Sequence, residues 1–122
     1  MIKAQYFKIH ELVPPKTYLK YGEKAWWFID ESLIYLIDAM REEFGSATIN
    51  NYHWKGDRQW SGLRTSDSPF YSPYSQHSFG RAADMLFKQM SADEVREAML
   101  SNPKRWATVC PSITLEDGVN WV

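Results

Sequence analysis

Apolar and polar positions along the chain mark out its elements before any chemistry is considered. Between residues 30 and 44, Leu33, Ile34, Leu36, Ile37, Met40 and Phe44 return at helical spacing. Arg41, Glu42 and Glu43 fall toward the other side, and Gly45 is placed to end the helix in a left-handed conformation. Residues 47–54 alternate loosely and predict a strand, and the apolar run 82–87 predicts a second, central one. Between them, residues 55–75 are polar and carry Pro69 and Pro73, which predicts a long loop of the kind that is functional or disordered in a small domain. Ser91 and Glu94 have capping-box spacing and open a helix that turns Val95, Ala98 and Met99 inward and stops before Pro103. Residues 112–115 and 119–122 flank Glu116, Asp117 and Gly118, where the Asp-Gly pair predicts a hairpin turn. Pro14-Pro15 predicts irregular structure across residues 1–24.

Composition narrows the function more by exclusion than by indication. With 122 residues the chain has room for one core and not two, so residues 1–122 are expected to form a single domain. Fourteen Lys and Arg balance fifteen Asp and Glu, and no basic stripe interrupts the pattern, so no nucleic-acid partner is expected. Cys110 is the only cysteine; it can form no intrachain disulfide and no cysteine-based zinc site, and among apolar neighbours it reads as a small core residue. No segment approaches the ~20 apolar residues of a membrane span, and residues 1–10 lack the apolar core of a signal peptide. A protein of cytoplasmic location, or one released by lysis or carried in a virus particle, meets those conditions. Aromatic residues reach 16% of the chain, which suits either a bulky core or a groove.

The chemistry concentrates between Ser75 and Asp84. His77 and Asp84 lie seven residues apart, separated by the small residues Gly80 and Ala82. Imidazole nitrogen and carboxylate oxygen are both good zinc ligands. Glycine permits a sharp turn or a close approach, and Ala82 leaves room beside an ion.

The full pattern Ser-x-His-x-x-Gly-x-Ala-x-Asp resembles the signature of the zinc D-alanyl-D-alanine carboxypeptidases and L-alanyl-D-glutamate endopeptidases, a family that includes phage endolysins. All five fixed positions match, at Ser75, His77, Gly80, Ala82 and Asp84. The order of elements agrees over roughly residues 28–122. The resemblance implies an α+β fold, a small antiparallel sheet flanked by helices with the site at one edge of the sheet. It implies zinc as cofactor, held by His77, Asp84 and a histidine near the C-terminus, and a peptide of peptidoglycan as substrate. It also implies an arginine upstream of the motif that stabilises the oxyanion, for which Arg64 is the candidate and Arg58 the competitor. A carboxylate near the last histidine would act as general base; Glu116 and Asp117 are the nearest. Ser75, Trp60 and His53 are candidates for substrate contact, and Trp54, Tyr71 and Tyr74 are near them in sequence.

The chain departs from the family in one respect. Its histidines are His10, His53 and His77, and none follows Asp84. Either the natural chain continues beyond the apolar run that ends at Val122 and supplies the third ligand there, or this member has lost its metal site. The abrupt apolar ending favours the former. The first reading makes the protein a cell-wall hydrolase, such as a phage lysis enzyme or a virion-associated component acting in or from the host cytoplasm. The second makes it a non-catalytic virion structural protein with virion partners, or a wall-binding module. His53 stands apart from these sets, and His10 has no partner that the sequence identifies.

Overall fold

The structure, a computed structural model, describes residues 1–116. Among these residues it is helix-rich, with one antiparallel sheet of two very short strands. Four α-helices are formed: α1 (Pro15–Tyr21), α2 (Glu31–Phe44), α3 (Ala92–Leu100) and α4 (Pro103–Val109). The strands are β1 (Ala47–Thr48) and β2 (Leu86–Phe87), paired Ala47 to Phe87 and Thr48 to Leu86.

α2 follows the apolar periodicity closely. Asp30 caps it by accepting a hydrogen bond from Ser32 N at 3.1 Å, and Leu33, Ile34, Ile37, Met40 and Phe44 form its buried face. Leu36 packs only at the margin of that core. Gly45 ends the helix at φ +92, where a side chain would be disfavoured. α3 opens on the expected capping box: Ser91 Oγ accepts from Glu94 N, and Glu94 Oε1 accepts from Ser91 N. α2 packs against α4 through Phe44, whose ring stacks on Trp106 with 5.6 Å between centroids. Cys110 is buried beside them, as its neighbours predicted.

Three expectations are corrected. The N-terminal region is not irregular: 3₁₀ turns at Ile9–Glu11 and Gly22–Phe28 bracket α1, and Pro15 is the first residue of that helix. Proline fits there because the N–H it lacks would have no partner in the first turn. The strands expected over 47–54 and 82–87 shrink to two residues each, because other groups take their backbone bonds. Asn50 N donates to Glu11 O at 3.0 Å, residues 52–54 turn into a 3₁₀ helix, and Asp84 N donates to Ser61 O at 2.7 Å. Residues 112–115 form no strand; the rest of the expected hairpin lies outside the described residues. Among the described residues no helix is long and apolar enough to cross a membrane.

The long loop of residues 55–75 has no helix or strand, yet it is tied to the core. Leu63 N donates to Leu12 O at 2.8 Å, and the fully buried Asn50 bridges Val13 O and Ser61 N. These bonds hold one wall of the site against the N-terminal turn.

Candidate functional site

His77 lies in a 3₁₀ turn, Gln76–Phe79, whose ends are set by two residues of the motif. Ser75 caps the start, its Oγ accepting from His77 N at 3.2 Å. Gly80 closes the turn in the left-handed region at φ +68. A Cβ at Gly80 would drive into the carbonyl of Phe28, just where Asp30 N bonds Gly80 O at 2.9 Å. The glycine is therefore required twice, for its backbone angle and for the close passage of the 28–30 segment.

The imidazole is oriented by a single bond. His77 Nδ1 lies 2.9 Å from Gly62 O. A carbonyl only accepts, so Nδ1 is the donor of that bond. Nε2 is 3.4 Å from Asp84 Oδ1, and both side chains are 13% exposed. The other oxygen of Asp84, Oδ2, is 3.2 Å from Arg64 Nη2, with the arginine side chain 19% exposed. Arg64 is itself held: its Nε donates to Trp60 O at 2.8 Å and its N donates to His77 O at 3.1 Å. Gly62 is packed so tightly that a Cβ there would strike the carbonyl of Leu12. The residues 62–64, 77 and 84 thus form one interlocked unit.

That geometry can be tested against a zinc ion. With ligand bonds of about 2.0–2.2 Å and tetrahedral angles, two donor atoms on one ion stand about 3.3 Å apart. The 3.4 Å between Nε2 and Oδ1 fits one edge of such a tetrahedron. The bond at Nδ1 fits as well, since a metal-bound histidine commonly gives its other ring N–H to a backbone carbonyl. His77 and Asp84 therefore fit as two donors; among the described residues no set of three His, Cys, Asp or Glu side chains is grouped to hold a metal.

The pair opens onto a cavity of about 900 Å³, which Arg58, Trp60, Arg64, Phe70, Ser75 and Glu116 also line. On its other side, a cavity of about 730 Å³ runs along α2 and includes Ala82 and Glu116. The structure thus brings His77, Asp84, Arg64, Ser75, Trp60 and Glu116 together. Asp117 lies outside the described residues. His53 lines neither cavity. Its ring stacks on His10 at 3.9 Å between centroids, with Tyr18 and Trp54 edge-on to both. His10, for which the sequence identified no partner, is the buried member of that stack, and Trp54 belongs to it instead of the cleft. Tyr71 and Tyr74 are exposed and line neither cavity, whereas Phe70, which no pattern singled out, does. Comparison of the chain with family models, curated proteins and solved structures finds no match.

Proposed function

We propose that this chain is a zinc-dependent peptidase that hydrolyses a peptide bond in the stem peptide of peptidoglycan, with His77 and Asp84 as two of the metal's ligands. The observation that carries this reading is the 3.4 Å separation of His77 Nε2 and Asp84 Oδ1 at the wall of an open cleft, with His77 Nδ1 already committed to Gly62 O. A zinc ion bound there would supply a Lewis acid and a water of lowered pKa. The motif supports the reading at each fixed position: Ser75 caps the turn, His77 and Asp84 present donors, Gly80 admits the neighbouring strand of chain, and Ala82 lines the space beside them.

The chain's own residues have distinct tasks in this scheme. Gly62 O fixes the ring of His77, and Arg64 fixes the carboxylate of Asp84. Arg64 also lines the cleft, where its positive charge would favour the oxyanion that develops as a carbonyl is attacked. Glu116, which like Asp84 lines both cavities, is the described carboxylate placed for taking up a proton. Trp60 and Ser75 border the space a peptide would fill.

The test is zinc content of the full-length protein together with release of new amino groups from purified cell walls. About one zinc per chain, lost with activity in both His77→Ala and Asp84→Ala, is the expected result. Wall binding without zinc and without amine release would overturn the proposal and leave a binding or virion structural protein.

A further inference from the structure

The cleft beside His77 contains a second arginine, and its surroundings differ from those of Arg64. Arg64 spends its charge on Asp84 at 3.2 Å. Arg96 and Arg105 likewise pair with Asp93 and Glu43. Arg58, half-buried and lining the same cavity as His77 and Asp84, has no acidic partner among the described residues. Its neighbour Asp57 also lines the cavity but is exposed and forms no ion pair with it. A cation held partly out of water with no counter-charge is a standing site for an anion.

The loop that carries Arg58 is built to hold it still. Arg58 N donates to Asn51 Oδ1 at 2.8 Å, and Arg58 O accepts from both Asn51 N and Tyr52 N. Gly56 N and Trp54 N both donate to Asn51 O, so residues 51–58 curl around one asparagine. Lys55 takes up the left-handed angle, φ +68, that this curl requires. Ile49, fully buried, anchors the base, and its carbonyl accepts from Arg58 Nε at 3.1 Å. That bond occupies the inner edge of the guanidinium and leaves the two Nη groups without a bond among the described residues, the fork that fits a carboxylate.

We propose that Arg58 is the carboxylate-binding residue of this cleft, and that the peptide ligand docks by a free carboxylate placed on the Arg58 guanidinium beside the His77–Asp84 pair. The inference rests on the reading of the cleft as a peptide site. It names the substrate class as anionic peptides and gives Arg58 and Arg64 different work: Arg58 holds the ligand, Arg64 holds Asp84.

The experiment uses the full-length protein and two forms of the pentapeptide L-alanyl-D-γ-glutamyl-L-lysyl-D-alanyl-D-alanine, one with free carboxylates and one with all of them converted to carboxamides. Binding of each is measured by calorimetry for the parent protein, Arg58→Gln and Arg58→Lys, with amine release followed in the same samples. The parent is expected to bind the acid about tenfold or more tightly than the amide, as a charge-assisted bond implies. Arg58→Gln should remove that preference, and Arg58→Lys, which keeps the charge but loses the fork, should retain part of it. Equal binding of acid and amide by the parent, binding of neither, or a preference that survives in Arg58→Gln would overturn the inference. Carboxylate preference without amine release in the parent would overturn the peptidase reading alone.

Discussion

Arg64 Nη2 and Asp84 Oδ2 stand 3.2 Å apart in a largely buried pair, while the opposite oxygen of the same carboxylate faces His77 Nε2. An arginine in this position draws charge toward Oδ2 and fixes the plane of the carboxylate, so that Oδ1 is held toward Nε2. Groups that hold a ligand in this way contribute to metal affinity almost as the ligands do, about 10–100-fold when removed. If His77 and Asp84 hold zinc as proposed, Arg64→Ala should weaken its retention by about that factor, measured by titration with a competing chelator. Arg64→Lys should recover little, since an ammonium cannot bond Trp60 O and Asp84 together in the same planar fork. Unchanged zinc affinity in both variants would show that the pair serves folding alone.

Gly80 offers a test of the turn that presents His77. Alanine there would have to hold φ +68 and displace the carbonyl of Phe28. The two penalties, left-handed backbone and overpacking, together predict a loss of roughly 3 kcal/mol or more. Urea denaturation of Gly80→Ala checks this; a loss under about 1 kcal/mol would mean that the 28–30 segment yields readily.

The histidine stack gives a pH dependence with a definite sign. Burial lowers the pKa of His10 below its ordinary 6.5, His53 and Lys8 push the same way, and Glu23 opposes them. Its Nδ1 is buried with no hydrogen-bond partner among the described residues. The folded state therefore resists a proton that the unfolded chain accepts, so this contribution is intact above 6.5 and lost as pH falls through that value toward the folded pKa. Glu11, whose pKa burial raises, works oppositely: its cost appears as pH climbs above 4.5. His10→Phe should keep the stack and flatten the loss of stability between about pH 7.5 and 5.5, read from denaturation midpoints at each pH. An unaltered slope would place the titration elsewhere.

At α3, the capping box links a helix end to a carboxylate. The bonds from Ser91 hold the pKa of Glu94 below its ordinary 4.5, so the stability associated with the ionised group is present above that value and fades as pH falls. Ser91→Ala should cost about 1 kcal/mol in stability and let the Glu94 pKa return upward only in part, because the backbone N–H of residue 91 still donates to its carboxylate; NMR titration of the Glu94 side chain follows it.

Local patterns account for much of the helical structure. α2 and α3 were legible because a 3.6-residue apolar period and a capping box are properties of neighbouring residues. The N-terminal helix was hidden because Pro14-Pro15 reads as a break, although proline suits a first turn as well as it suits a loop. Both strands were overestimated because an apolar run shows which residues will be buried and not which backbone groups will bond. At Asn50 and Asp84 those bonds go to Glu11 and Ser61, remote in sequence.

The site divides along the same line. That His77 and Asp84 would stand close together was legible in a ten-residue motif, because the turn closed by Gly80 lies between them. The bond between Gly62 O and His77 Nδ1, the capture of Arg64 by Asp84, and the removal of His53 to a stack with His10 were not. Each depends on groups brought together from distant parts of the chain, and a contact of that kind leaves no periodicity to read. The sequence by itself determined which residues could act and which helices would form. Only the tertiary structure decided which polar groups were consumed by one another and which, like the outer nitrogens of Arg58, have no partner among the described residues, because that depends on burial and partners that no local pattern encodes.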